Sequence, residues 1–169
     1  MDVAELLIES HSRVGGVLHR AVVGLDVVQL TWRADPDANT IAWLAWHAAR
    51  GEDAQVAEVA GTEQVWTGQA WTGRFALPFD DSASGYGQTS EEVGQVEVTA
   101  EQLLGYYDAV AGATVAYLGG LSEADLDRVV DERWDPPVTL GVRLVSIIGD
   151  SLQHAGQASF VRGLLERAT

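Results

Sequence analysis

The chain of 169 residues contains no cysteine and no lysine, and each absence excludes a class of chemistry. Without cysteine there is no disulfide framework, no thiolate-bound zinc and no protein thiol that could act as a nucleophile. Without lysine there is no Schiff-base chemistry and no phosphate-binding lysine of the Walker type. The G-x-S-x-G, G-x-G-x-x-G and H-E-x-x-H motifs are also missing, so hydrolase-triad, dinucleotide and zincin interpretations have no support.

Basic residues are scarce as well. Ten Lys and Arg face 25 Asp and Glu, so the net charge is 10 − 25 = −15. Such a surface repels phosphate groups, which excludes nucleic acid and anionic membranes as expected partners. The amino-terminal sequence has acids and no basic stretch before an apolar run, and the most apolar segment, 140–149, is too short to span a bilayer. We expect a cytoplasmic protein that acts on a small-molecule substrate.

Four long segments show helical periodicity, and no strand pair is predicted. Helix 1 covers about 2–31, helix 2 starts near Asn39 and ends near Gly61, helix 3 covers about 99–120, and helix 4 covers about 139–167. In helix 1 the apolar stripe is spaced alternately by four and three residues and includes His11. The sequence therefore predicts an all-α four-helix bundle that forms one domain over residues 1–169.

A long connection, residues 62–98, joins helix 2 to helix 3. It has five glycines, and it also has five aromatic residues: Trp66, Trp71, Phe75, Phe79 and Tyr86. A connection of this length is usually functional or disordered, and its aromatic residues indicate that it packs. Two interpretations stay open: the segment walls a pocket at one end of the bundle, or it is a loop held down by apolar anchors.

Two ionisable residues of helix 4, Asp150 and His154, are four apart and therefore lie on one helical face. The apolar residues Leu140, Ile147 and Val161 share that face, so we expect it to be buried. A buried carboxylate costs several kcal/mol unless it is paired. A metal ion would remove that cost, although a hydrogen-bonded pair without metal is the simpler alternative.

Helix 2 offers a third ligand, His47, with the small residues Gly51 and Ala54 on the same face. Two histidines and one carboxylate on facing helices form a set that leaves coordination positions open, which suits a catalytic metal. His11 is a competing candidate because it also lies on an apolar stripe, although core filling or a supporting contact suits it better. His19 falls off that stripe and is predicted to lie on the surface.

The segments NTIAWLAWHAARGED, with His47, and DSLQHAGQASFVRG, with Asp150 and His154, resemble the DinB/YfiT-like superfamily of metal-dependent four-helix bundles. The resemblance extends over essentially the whole chain, including its length and the long connection. It implies an up-down-down-up bundle, a divalent metal held by His47, Asp150 and His154, and a homodimer.

One position departs from the commonest pattern of that superfamily, which has His where this chain has Asp150. A carboxylate there resembles the mycothiol-dependent branch related to the maleylpyruvate isomerase N-terminal domain, in which Glu occupies the position. Asp is shorter by one methylene, so we expect the metal to bind closer to helix 4 or more weakly. The sequence ends after helix 4, so we do not expect the isomerase activity itself.

The resemblance implies a thiol-S-transferase that joins a low-molecular-weight thiol, such as mycothiol, to an electrophilic small molecule. A divalent ion, here zinc, nickel or manganese, lowers the pKa of a bound thiol. Arg50 and Arg162 are candidates to hold an anionic group, and Gln157 to bond a ligand or a metal-bound water; surface ion pairs and a polar helix face are the simpler interpretations. The alternative functions are a metal-hydroxide hydrolase and a non-catalytic, dimeric bundle that binds a small ligand or a partner.

Overall fold

The computed structural model describes residues 1–168, which form a bundle of four long helices. The long helices are α1 (Val3–Val22), α3 (Ile41–Ala60), α7 (Ala100–Leu118) and α8 (Leu140–Ala168). The short elements are α2 (Val27–Leu30), α4 (Val65–Gly68), α5 (Trp71–Phe75), α6 (Ser90–Gly94), a 3₁₀ helix (Glu123–Asp127) and the strands β1 (Val129–Asp131) and β2 (Val138–Thr139). The predicted all-α bundle is confirmed, although β1 and β2 form a small antiparallel hairpin where no strand pair was predicted.

The directions of the long helices follow from contacts at their ends. Arg162, near the end of α8, donates to the carbonyl of Arg20 near the end of α1, so these two helices run parallel. Tyr117 contacts the carbonyl of Val59, which brings the ends of α7 and α3 together. The first half of α1, through Ile8, packs in the same cluster as Tyr117, so α1 runs opposite to α7. The connectivity is therefore up-down-down-up, as the resemblance implies.

One predicted helix boundary is wrong. Helix 1 was expected to reach residue 31, but α1 ends at Val22 because Gly24 adopts a φ of +80° and Asp26 caps a separate helix, α2. Helix 2, predicted to start near Asn39, begins at Ile41 as α3, and its N-cap is Thr40, whose hydroxyl accepts the third backbone N–H of the helix. No helix among residues 1–168 is long and apolar enough to cross a membrane.

The connection from α3 to α7 packs closely on the bundle. The aromatic side chains of Trp66, Trp71 and Phe75 are buried in the main core together with Tyr106 of α7. Tyr86 is the exception, because 94% of its surface is exposed. Both interpretations of this segment hold in part: its aromatic anchors fill the core, and its residues from 81 to 86 lie beside α3 at the predicted ligands.

Candidate metal centre

Three side chains converge between α3 and α8: His47, Asp150 and His154. Each offers one ligand atom, and these atoms lie within 4.8 Å of one another. The distance from His154 Nε2 to Asp150 Oδ1 is 3.5 Å. Two ligands bound to one zinc ion at normal distances and a tetrahedral angle lie roughly 3.4 Å apart. The residues therefore fit a divalent ion after only small movements of the third ligand.

The ring of His47 is held in one orientation by its neighbours. Its Nδ1 lies 2.5 Å from the carbonyl oxygen of Ser84, which can only accept, so Nδ1 carries the hydrogen and Nε2 keeps its lone pair. The ring stacks on Trp43 with 4.6 Å between centroids. Burial lowers the pKa of His47, and nearby His154 lowers it further, against the opposing effects of the Ser84 contact and Asp150. The imidazole is therefore neutral near pH 7, as a metal ligand must be.

A glycine lets the connection approach His47 this closely. Gly85 adopts a φ of +96°, and a Cβ at this position would lie 2.7 Å from His47 Nδ1. The same stretch is tied to Trp43, whose indole N–H donates to the Gln88 side chain at 2.7 Å. Sequence reasoning missed the roles of Ser84 and Gly85. The one available signal was the pair of glycines around Tyr86, which by itself indicates only a turn.

The second histidine is supported from its own helix. His154 Nδ1 lies 3.0 Å from Gln157 Oε1, which leaves Nε2 facing Asp150. Asp150 contradicts the expectation of a buried stripe, because half of its side-chain surface is exposed. The reason is local: Gly51 stands opposite Asp150 and has no side chain to cover it. The cost of burying a carboxylate therefore does not call for a metal here, and the convergence of three donors supports the site instead.

The candidate centre opens into a cleft of about 640 Å³. This volume lies within the range of small-molecule sites. Three protein ligands leave at least one coordination position free, and that position can face the cleft. Most of its lining residues carry polar side chains, and Tyr86 lies at its exposed rim; the lining consists of His47, Gly51, Ala54, Gln55, Ser84, Tyr86, Ser146, Gly149, Asp150 and Gln153. We call it the polar cleft.

Arg50, a candidate for anion binding with a surface ion pair as the simpler interpretation, is neither on the surface nor in the polar cleft. It is 1% exposed and lies 3.6 Å from Asp53. Its Nε donates to the carbonyl of Ala83 at 3.0 Å, and its Nη1 donates to the Gln64 side chain at 2.9 Å. Its guanidinium therefore holds the chain just before Ser84, the residue whose carbonyl orients His47.

The other two candidates are Arg162 and Gln157. Arg162 donates to the carbonyls of Arg20 and Val23 and pairs with Glu166, so its donors are used at the end of α1. It does not line the polar cleft. Gln157 contacts His154 directly, as described above, and of the three it is the one placed at the candidate ligands.

Comparison with known proteins identifies the family. The model of the mycothiol-S-transferase family matches residues 12–167. The chain belongs to the mycothiol-S-transferase family. It is also similar to a crystal structure described as the conserved protein of a locus from Enterococcus faecalis, with 33% identity, a TM-score of 0.92 and 99% of each chain covered. A comparison with curated proteins finds no match.

Family membership confirms the resemblance found in the sequence and the expected class of enzyme. It implies a metal-dependent thiol S-transferase with mycothiol as its small-molecule thiol. The absence of cysteine agrees with this, because the reacting sulfur then comes from the small molecule. The group of His47, Asp150 and His154 fits the metal that the family implies.

Proposed function

We propose that His47, Asp150 and His154 hold one divalent ion, which is zinc, nickel or manganese, in a mycothiol-dependent S-transferase. The convergence of their three ligand atoms carries the proposal. Two imidazoles and one carboxylate suit all three of these metals. A bound divalent ion lowers the pKa of a thiol, so that the thiolate is available near pH 7.

The polar cleft admits the thiol. Gln55, Ser146 and Gln153 provide hydrogen-bonding side chains on its walls, which suit the hydroxyl groups of a sugar-bearing thiol such as mycothiol. In the reaction the sulfur forms a bond to an electrophilic carbon. The leaving group departs with the electron pair of the broken bond, and the thiol proton passes to solvent.

The three candidate catalytic residues receive different roles. Gln157 positions His154 by accepting from its Nδ1–H, and this contact keeps Nε2 as the ligand atom. Arg50 is a positioning residue, because it holds the backbone that ends at Ser84. Arg162 joins the ends of α1 and α8, so its role is in the packing of the bundle.

Elemental analysis of the tag-free protein tests the metal site. We expect about one divalent ion per chain in the parent, lost in Asp150→Ala and His154→Ala. His19→Ala is the matched control, since His19 is partly exposed and contacts Asp108 of α7. Absence of metal after incubation with zinc, nickel and manganese would overturn the proposal. Turnover of an ester without any thiol would favour the metal-hydroxide hydrolase.

The homodimer and the single domain over residues 1–169 stay predictions. Exposed apolar side chains on the outer face of α8, such as Val145 and Phe160, are compatible with a contact between two copies. Sedimentation equilibrium of the parent over a range of concentrations measures the oligomeric state directly. A monomer at every concentration would contradict the homodimer.

A further inference from the structure

A second cavity lies one turn further along α8 than the polar cleft. It has a volume of about 470 Å³. The polar cleft is lined by α8 residues 146–153 and the second cavity by α8 residues 156–164, so His154 stands between them. Its remaining walls are Leu44 of α3 and residues 34–39 of the connection before α3. We call it the apolar groove.

The apolar groove shares a wall with the candidate metal centre. Gln157 lines the groove, and its Oε1 lies 3.0 Å from Nδ1 of His154. Leu44, on the opposite wall, precedes His47 by three residues and therefore lies beside it on the same side of α3. A molecule in the groove is thus separated from the ligands by single side chains. This continuity connects the groove with the proposed reaction.

The lining of the groove indicates what it accepts. Phe160, 64% exposed, presents an aromatic ring at the rim, and Val161 and Leu164 continue the apolar wall. Among the lining residues that the structure describes, Asp35 is the one charged group. A lone carboxylate in a chain of net charge −15 disfavours an anion. The groove therefore suits an uncharged apolar molecule, in contrast to the polar cleft.

We propose that the apolar groove binds the apolar part of the electrophilic acceptor, such as an uncharged aromatic ring. This inference rests on the proposed transferase function. The thiol and the acceptor then reach the centre from successive turns of α8. With an aryl chloride, the sulfur–carbon bond forms, the carbon–chlorine bond breaks, chloride leaves with the bonding pair, and the thiol proton passes to solvent.

Three glycine substitutions distinguish binding in the apolar groove from binding in the polar cleft. A Cβ at Gly156, in the groove, or at Gly149, in the polar cleft, meets nothing within 4 Å. The Cβ of Gly156→Phe or of Gly149→Phe therefore meets no neighbouring atom, and each ring is designed to occupy the cavity that its residue lines. Gly112 of α7 is equally unobstructed and lines neither cavity, so Gly112→Phe is the matched control.

Binding of 1,3-dinitrobenzene, an uncharged ring that cannot react, tests the groove without any turnover. Equilibrium dialysis with metal-free and metal-loaded protein should show saturable binding to the parent, to Gly149→Phe and to Gly112→Phe. Binding should be lost in Gly156→Phe. No saturable binding to the parent, or unchanged binding to Gly156→Phe, would overturn the inference. Because no thiol is present, this result does not depend on the proposed function.

Kinetics with mycothiol then test the role of the groove in the reaction. The acceptors are 1-chloro-2,4-dinitrobenzene and iodoacetamide, which has no apolar ring. In Gly156→Phe we expect the KM for the aryl chloride to rise by about tenfold, with the rate for iodoacetamide and the KM for mycothiol unchanged. An unchanged KM for the aryl chloride would overturn the inference that the groove binds the acceptor. Absence of thiol transfer to either acceptor in the parent overturns the proposed function instead.

Discussion

Two of the histidine–carboxylate groups in this bundle, one in the core and one at the candidate metal centre, differ in almost every property that matters for function. In the core, His11 Nε2 lies 2.7 Å from Glu52 Oε1, and the Thr114 hydroxyl donates to the same oxygen. His11 and Glu52 are 2% and 1% exposed. At the candidate metal centre, by contrast, Asp150 is half exposed, and the closest approach of its Oδ1 to His154 is 3.5 Å.

The difference shows what makes a histidine available as a ligand. Nε2 of His11 already contacts the Glu52 carboxylate in the core, so this atom is not available to a metal ion. At the candidate centre the Nδ1 atoms are held by Ser84 and Gln157, which leaves each Nε2 free to face the third donor. Residue type and position on an apolar stripe are the same in both groups. The role of each histidine depends on which of its ring nitrogens already contacts another group of the protein.

The largest expected effect contrasts His47→Ala with His11→Ala. Zinc binding should be lost in His47→Ala, because one of the three ligands is removed. Even the loss of a residue that only supports a ligand typically weakens metal affinity by tens of fold. His11→Ala should bind zinc as the parent does. Competition with a chromophoric chelator measures both affinities. Equal loss in the two variants would mean that the core pair supports the centre, and the distinction would fail.

Stability should show the reverse order. Removing one partner of the core pair, in His11→Ala or Glu52→Ala, leaves a buried polar group alone and should lower the unfolding free energy by about 3 kcal/mol. The double variant should lose less than the sum of the two, because the residues contact each other. Asp150→Ala, at a half-exposed position, should change it by less than about 1 kcal/mol. Urea denaturation of metal-free protein measures all four.

Local signals explain which parts of the fold could be predicted. Gly61 ends α3 in a left-handed conformation, and Thr99 with Gln102 forms the capping box that begins α7, as their residue types indicate. The predicted end of helix 1 was wrong, because apolar spacing continues through Gly24 and hides the break. The contacts that decide a cap or an apolar stripe lie within a few residues, so sequence alone reveals them.

The candidate site could be predicted only in part. Spacing placed Asp150 and His154 on one face, helix 2 offered His47 as the third ligand, and the resemblance implied the same three residues, but none of these reveals exposure. The burial of Arg50 depends on where residues 81–83 pack, more than thirty residues away along the chain, and the exposure of Asp150 depends on Gly51 of α3, which stands opposite it. Such contacts leave no periodic trace in the sequence. For the same reason, the sequence does not reveal the difference between His11 and His47.

Gly85→Ala should reduce metal affinity by about tenfold to a hundredfold, because its Cβ would lie 2.7 Å from His47 Nδ1 and displace the contact with Ser84. Gly87→Ala is the matched control: its φ is also positive, at +75°, but nothing lies within 4 Å of the added Cβ. Both variants should lose stability through backbone strain, and only Gly85→Ala should lose zinc affinity. Equal zinc affinities in the two variants would contradict the role of the Ser84 contact.

The smallest expected effect is a pH dependence at His47. Burial lowers the pKa of His47 in the folded protein below its ordinary value of 6.5, so the unfolded chain binds this proton more readily. The unfolding free energy of metal-free protein should therefore fall as pH drops below 6.5, by at most about 1.4 kcal/mol per pH unit from this group. The fall should be shallower in His47→Gln, and NMR of the His47 ring should give a midpoint below 6.5. A midpoint at or above 6.5 would mean that the His47 ring is as hydrated as a surface histidine, which would contradict the effect of burial on its pKa.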